Sequence, residues 1–207
     1  MTDYISQVET NKLIRKVLRE SFPGVKFSVR GKSYAGGGST NINWTNGPNE
    51  KQVERLVSAF EGSYFDGMID YKGSRYAMLD GKEVHFMADF IFANRHYSDD
   101  LERMMAARLI AKYGQQCEYL ESASPESMIA DWHQGNLWNV YPRGGDWSHE
   151  NSLSSMLHQK LGKYTLSPFP QHSKTLDRVR FSGDDGYGAG TVGRNGSGTA
   201  LGYPRTA

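Results

Sequence analysis

Val25-Lys26-Phe27-Ser28-Val29-Arg30 and, a little further on, Asn41-Ile42-Asn43-Trp44-Thr45 decide how this chain folds. In both runs apolar and polar residues alternate, which is the period of a strand with one face buried. Val25, Phe27 and Val29 fall on one side, with Lys26, Ser28 and Arg30 on the other. In the second run Ile42 and Trp44 alternate with Asn41, Asn43 and Thr45. The join, Tyr34-Ala35-Gly36-Gly37-Gly38-Ser39, reads as a glycine-rich hairpin loop. The two strands offer an apolar face to a core and a wet face carrying Lys26, Arg30, Lys32, Asn41 and Asn43.

Helical periods flank this hairpin. Before it, Leu13, Ile14, Val17 and Leu18 recur at helical spacing, with Phe22 one turn on and Pro23-Gly24 ending the pattern. After it, Asn46-Gly47-Pro48 opens a helix striped by Val53, Leu56, Val57 and Phe60. Two further strands are expected, Arg75 to Leu79 and Glu83 to Ala93, joined by the hairpin dipeptide Asp80-Gly81. The second is apolar on both faces, so a central place is expected for it. Ser98 then caps a helix, with Asp99 and Asp100 in its first turn and Leu101, Met104, Met105 and Leu109 as its stripe. The order α-β-β-α-β-β-α predicts an α+β fold, a mainly antiparallel sheet with helices on one face. Beyond it, short helices near Glu126–Gln134 and Asn151–Leu161 flank a Trp-rich loop. The expected organisation is an α+β domain over 1–115, a helical and Trp-rich extension over 116–165 and a Gly-rich flexible tail over 166–207.

The chain has 207 residues, 38% of them hydrophobic, and a net charge of +1. That charge conceals an uneven distribution. Residues 1–32 and 160–207 each carry +4, and residues 33–159 carry −7. Cationic ends confine any nucleic-acid binding to the N-terminal helix and hairpin or to the tail. Cys117, the one cysteine, excludes an intramolecular disulfide and a cysteine-based zinc cluster. The first residues lack the apolar stretch of a signal peptide, and no run approaches about 18 apolar residues. A cytoplasmic protein, away from membranes, is therefore expected.

Few residues form a recognisable catalytic pattern. Gly188-Ala189-Gly190-Thr191-Val192-Gly193 has the glycine spacing of a dinucleotide site, but no strand precedes it and no helix pattern follows. Gly36-Gly37-Gly38-Ser39-Thr40 lacks the lysine of a phosphate-binding loop. No Gly-x-Ser-x-Gly elbow is present. Asp66, Asp70, His85 and Asp89 are the candidates for a metal-dependent nuclease or hydrolase, without regular ligand spacing. Asp89 interrupts a strongly apolar strand, so it needs a partner such as Arg95 or His85, or must stay protonated. Trp132, Trp138 and Trp147 either anchor a partner or cap a small second core. No catalytic residue, metal ligand or cofactor is assigned.

The segment from Phe22 to Arg30, Tyr34 with Gly36-Gly37-Gly38-Ser39, Asn43-Trp44-Thr45 and Gly47-Pro48 occur in an order that resembles a known family. With Phe65-Asp66-Gly67-Met68-Ile69-Asp70 and Asn94-Arg95-His96-Tyr97-Ser98, they resemble the large polyvalent-protein-associated domain, twenty-ninth of its series. The resemblance covers roughly residues 10–115. It implies an accessory protein of a phage, plasmid or conjugative element that acts early against host defences, and it carries no catalytic residues over. The resulting expectation is a non-enzymatic protein that binds a host defence component, as an anti-CRISPR-like inhibitor does, or nucleic acid. Lys26, Arg30, Lys32, Asn41 and Asn43 are its contact residues. A nuclease using the Asp/His set and a structural interaction module are the alternatives.

Overall fold

The computed structural model describes residues 2–144, 148–167 and 169–188. The chain divides into two compact units. One comprises residues 1–44, 50–94 and 167–207, the other residues 45–49 and 95–166. The fold class is α+β.

In the first unit, β1 (Asp3–Ile5) leads to α1 (Gln7–Ser21). Ser6 caps α1 in a capping box with Glu9, and Ile14, Val17 and Leu18 are buried on it. The hairpin follows as β2 (Ser28–Tyr34) and β3 (Gly37–Thr45), antiparallel, with Val29 opposite Ile42 and Arg30 opposite Asn41. Only Ala35 and Gly36 form the turn, where Gly36 takes φ +85. The glycine-rich stretch is therefore mostly strand rather than loop. The reason is close packing: a Cβ on Gly31 or Gly38 would strike the Gln7 or Asn11 amide of α1. Those two amides meet the Thr40 hydroxyl in a buried network, in which Gln7 Nε2 donates to Thr40 at 2.6 Å and Thr40 donates to Asn11 at 2.7 Å.

The α2 helix (Glu50–Val57) and a 3-10 turn at Ser58–Phe60 bury Val53, Leu56, Val57 and Phe60, as their spacing predicts. Then come β4 (Ser63–Asp66), β5 (Tyr71–Leu79), β6 (Lys82–Phe86) and β7 (Phe90–His96). The run Glu83 to Ala93 is not one central strand. It breaks at Met87–Asp89 and serves two sheets: β6 lies in the sheet ordered β1-β6-β5-β4, while β7 is the outer strand of β2-β3-β7. Both halves bury residues in one core, which explains why the run is apolar throughout; Phe86, Ala88 and Ile91 all belong to it.

Residues 176–184, inside the stretch read as tail, are structured. A 3-10 turn at Leu176–Arg178 leads into β8 (Val179–Asp184), which pairs antiparallel with β5. Leu176 and Val179 enter the core beside Ile14 and Phe60. The Glu20 carboxylate of α1 accepts hydrogen bonds from the Ser173 hydroxyl and from the Thr175 amide and hydroxyl. Asp185 accepts from the hydroxyls of Tyr64 and Tyr71 and from the Ser74 amide. Two inward aliphatic side chains in a polar segment leave little hydrophobic period to read. The Gly-x-Gly-x-x-Gly stretch lies outside the described residues except for Gly188.

The second unit contains α3 (Asp99–Tyr113), α4 (Glu118–Ser122), α5 (Pro125–His133) and α6 (Leu153–Lys163). Ser98 caps α3 by accepting from the Leu101 amide. Leu101, Met105, Leu109, Cys117, Leu120, Met128, Leu137, Leu153, Leu157 and Leu161 form its core. Arg95 is buried, and its guanidinium donates to the carbonyls of Asn46, Leu161 and Tyr164 at 2.6–3.0 Å. Among the described residues no helix is long and apolar enough to cross a membrane.

Candidate functional site

The register of β2 against β3 settles which side chains share a face. Ser28 stands opposite Asn43, Arg30 opposite Asn41 and Lys32 opposite Ser39. Directly opposed residues of an antiparallel pair project to the same side, so these six form one face. Val29 and Ile42, on the other side, are buried against α1 and the core. Arg30, Lys32 and Asn41 are exposed and Asn43 is half-buried. Lys26, two residues before β2, is exposed as well. The strand register thus brings Arg30, Lys32, Asn41 and Asn43 together on one sheet face, while Lys26 lies outside the paired strand. Among the described residues, none of Lys26, Arg30 and Lys32 forms an ion pair.

The same face carries three aromatic rings that the sequence reading did not single out. Tyr34 continues the alternation Ser28, Arg30, Lys32 at the end of β2. On β7, Ile91 points into the core, so Phe90 and Phe92 project to the opposite side. Tyr34 is 45% exposed and Phe92 50%. Lys72 of β5 reaches the edge of this group, its Nζ 5.9 Å from the ring centroids of both Tyr34 and Phe90. The signal available in the sequence was the period of two, but it is masked in Phe90-Ile91-Phe92, where both faces are apolar.

Asp89, at the crossing between the two sheets, fixes this end of the face. Its carboxylate accepts from Ser63 Oγ at 2.7 Å, Tyr34 Oη at 2.6 Å and Lys72 Nζ at 2.6 Å, and its amide donates to the Gly38 carbonyl at 2.7 Å. Burial raises the carboxyl pKa, but the hydrogen bonds from Lys72, Tyr34 and Ser63 outweigh it and hold it below the usual aspartate value. Asp89 is therefore an ionised, fully partnered group. Burial and the hydrogen bond to Asp89 push the Tyr34 hydroxyl up to about 12. The partner expected from the sequence, Arg95 or His85, is not the one found. Arg95 holds backbone carbonyls, and His85 Nδ1 lies 3.0 Å from the Arg75 carbonyl between the rings of Tyr4 and Tyr76. The reason is topological: the kink at Met87–Asp89 turns the Asp89 side chain toward the hairpin, where a strand carried straight through would not.

The four residues proposed as a metal set occupy separate settings. Asp66 is buried and accepts from the Met68 amide, closing the turn that follows β4. Asp70 is exposed at φ +50, His85 is enclosed by tyrosines and Asp89 is satisfied as described. Among the described residues no group of three or more His, Cys, Asp or Glu side chains is placed to hold a metal ion. The Asp89 carboxylate against Gly37 also puts negative charge where Gly36-Gly37-Gly38 would have to cradle a phosphate.

Of the tryptophans, Trp132 packs against the core of the second unit. Trp138 is 46% exposed and its ring lies 4.6 Å from that of His149. Trp147 lies outside the described residues.

No curated protein and no solved structure matches the chain. Residues 5–98 do match the model of one family, large polyvalent protein associated domain 29, over the helix, the glycine-rich hairpin and the strands up to the Ser98 cap.

Proposed function

We propose that this chain is a non-enzymatic accessory protein that binds nucleic acid through the open face of its three-stranded sheet. The domain it carries is one associated with large polyvalent proteins, a mobile-element setting in which foreign nucleic acid is always at hand. The single observation that carries the reading is the cross-strand register. It sets Arg30 and Lys32 against Asn41 and Ser39 on one face, and Lys26 is exposed two residues before that strand. Unpaired cations on a flat surface find their best complement in phosphates, and side-chain amides hydrogen-bond phosphate oxygens or base edges. An acidic protein patch would also meet the cations, but it gives no use to the rings of Tyr34, Phe90 and Phe92 beside them.

A binding titration across salt tests this. Three phosphate contacts by Lys26, Arg30 and Lys32 predict a log–log salt slope of about −2 on a single strand and about −3 on a duplex. Arg30→Gln and Lys32→Gln should each weaken binding and shallow the slope by about 0.7 on a single strand or about 0.9 on a duplex. Absence of binding at low salt, or a slope near zero, removes the proposal.

A further inference from the structure

We infer that the ligand of this face is a single strand, with its bases stacked on Tyr34, Phe90 and Phe92 and its phosphates on Lys26, Arg30 and Lys32; this rests on the nucleic-acid reading above. The rings and the cations Arg30 and Lys32 occupy one face by strand alternation, with Tyr34 on β2 and Phe90 and Phe92 on β7, and Lys26 is exposed just before β2. These strands are two apart in the sheet, so the rings stand about 10 Å from one side of the platform to the other. A protein core has no use for them, because the opposite face supplies Val29, Ile42 and Ile91 to it. In a duplex the base faces are covered by their neighbours, so only edges and phosphates remain to be touched. A single strand leaves each base face open to an aromatic ring, and that contact tolerates any sequence.

Two features prepare the platform before a ligand arrives. The Tyr34 hydroxyl is held by Asp89, which fixes one edge of the ring without covering the exposed part. Lys72 is drawn to the same carboxylate and stands beside both Tyr34 and Phe90, so its charge is already balanced. Lys72 therefore orders the rings, while Lys26, Arg30 and Lys32 remain to meet phosphate. Ordering side chains in advance lowers the entropy cost of binding.

Fluorescence anisotropy with oligothymidylate, oligouridylate and a duplex of equal length separates the possibilities. The expected result is tighter binding of a single strand than of the duplex, the deoxy and ribo arms showing which sugar is preferred. Phe92→Leu keeps apolar volume at a half-exposed position, so the fold should persist by circular dichroism. It should weaken single-strand binding about 5- to 100-fold with the salt slope unchanged, whereas Arg30→Gln should change the slope. Equal affinity for duplex and single strand, together with an indifferent Phe92→Leu, overturns this inference and leaves nucleic-acid binding standing. No binding of any of the three at low salt overturns both.

Discussion

The Asp89 carboxylate occupies the space where Gly37 would carry a side chain. Gly37 is the first residue of β3, paired with Tyr34, and its φ is not in the left-handed region, so its backbone makes no demand for glycine. What requires glycine there is the approach of a buried, charged group from the crossing between two sheets.

A methyl group at Gly37 must displace that carboxylate, and with it the bonds to Tyr34, Ser63 and Lys72. Gly37→Ala should cost about 2 kcal/mol in urea unfolding, in the range of overpacked cores. In the double variant Gly37→Ala/Asp89→Ala the second change removes the obstacle, so the combined cost should be less than the sum of the two. Strict additivity would refute the close-approach account. Gly36→Ala is the contrast: nothing lies within 4 Å of its Cβ, and only its φ of +85 opposes the change.

The depressed pKa of Asp89 gives stability a definite pH dependence. The folded value lies below the unfolded one, so the folded state favours the carboxylate over its acid. This contribution is complete above about pH 4, the unfolded aspartate value, and is lost as pH falls through the folded one. Asp89→Asn should cost about 2 kcal/mol at pH 7, as for a hydrogen-bonded charge, and the gap from the native chain should close on acidification below pH 4. Urea midpoints from pH 2.5 to 7 measure both curves. Parallel curves across that window would show that Asp89 is not the titrating group.

Arg95 anchors the second unit by a different device. Its guanidinium spans the carbonyls of Asn46, Leu161 and Tyr164, joining the loop at 45–49 to the end of α6. Arg95→Met keeps much of the apolar stem and strands those carbonyls, at an expected cost of about 3 kcal/mol or more. Arg95→Lys should recover little, because an ammonium cannot reproduce the planar fork. Hydrogen exchange of the Leu161 region would locate the damage. Full protection in Arg95→Met argues against an anchoring role.

Much of the architecture was readable because burial imposes a period. The stripe at Val53, Leu56, Val57 and Phe60, the Ser98 cap and the alternation through Val29 and Ile42 each reappear in the structure. The outward positions of Arg30, Lys32 and Asn41 were legible for the same reason. Where both faces of a strand are apolar, the period vanishes, and that concealed the break at Met87–Asp89 and the outward rings of Phe90 and Phe92. Asp89's partners were illegible because Tyr34, Ser63 and Lys72 lie on three separate strands. Only long-range pairing could bring them together. The strand at Val179–Asp184 was missed because a glycine-bearing polar segment gains its order from β5 and Glu20, neither of which is local.

That strand has a consequence for how the molecule is made. β5 is synthesised early, but its Arg75–Leu79 edge is closed by β8, which emerges only after the whole Arg95–Leu166 stretch. Until then the nascent chain presents a row of unpaired amides and carbonyls beside an incomplete core, the kind of edge that recruits foreign strands. A chain interrupted anywhere before Val179 keeps that edge open for good. Closure of this sheet edge therefore waits on the synthesis of β8, and a chain that lacks β8 differs from one that has it by an exposed adhesive strand.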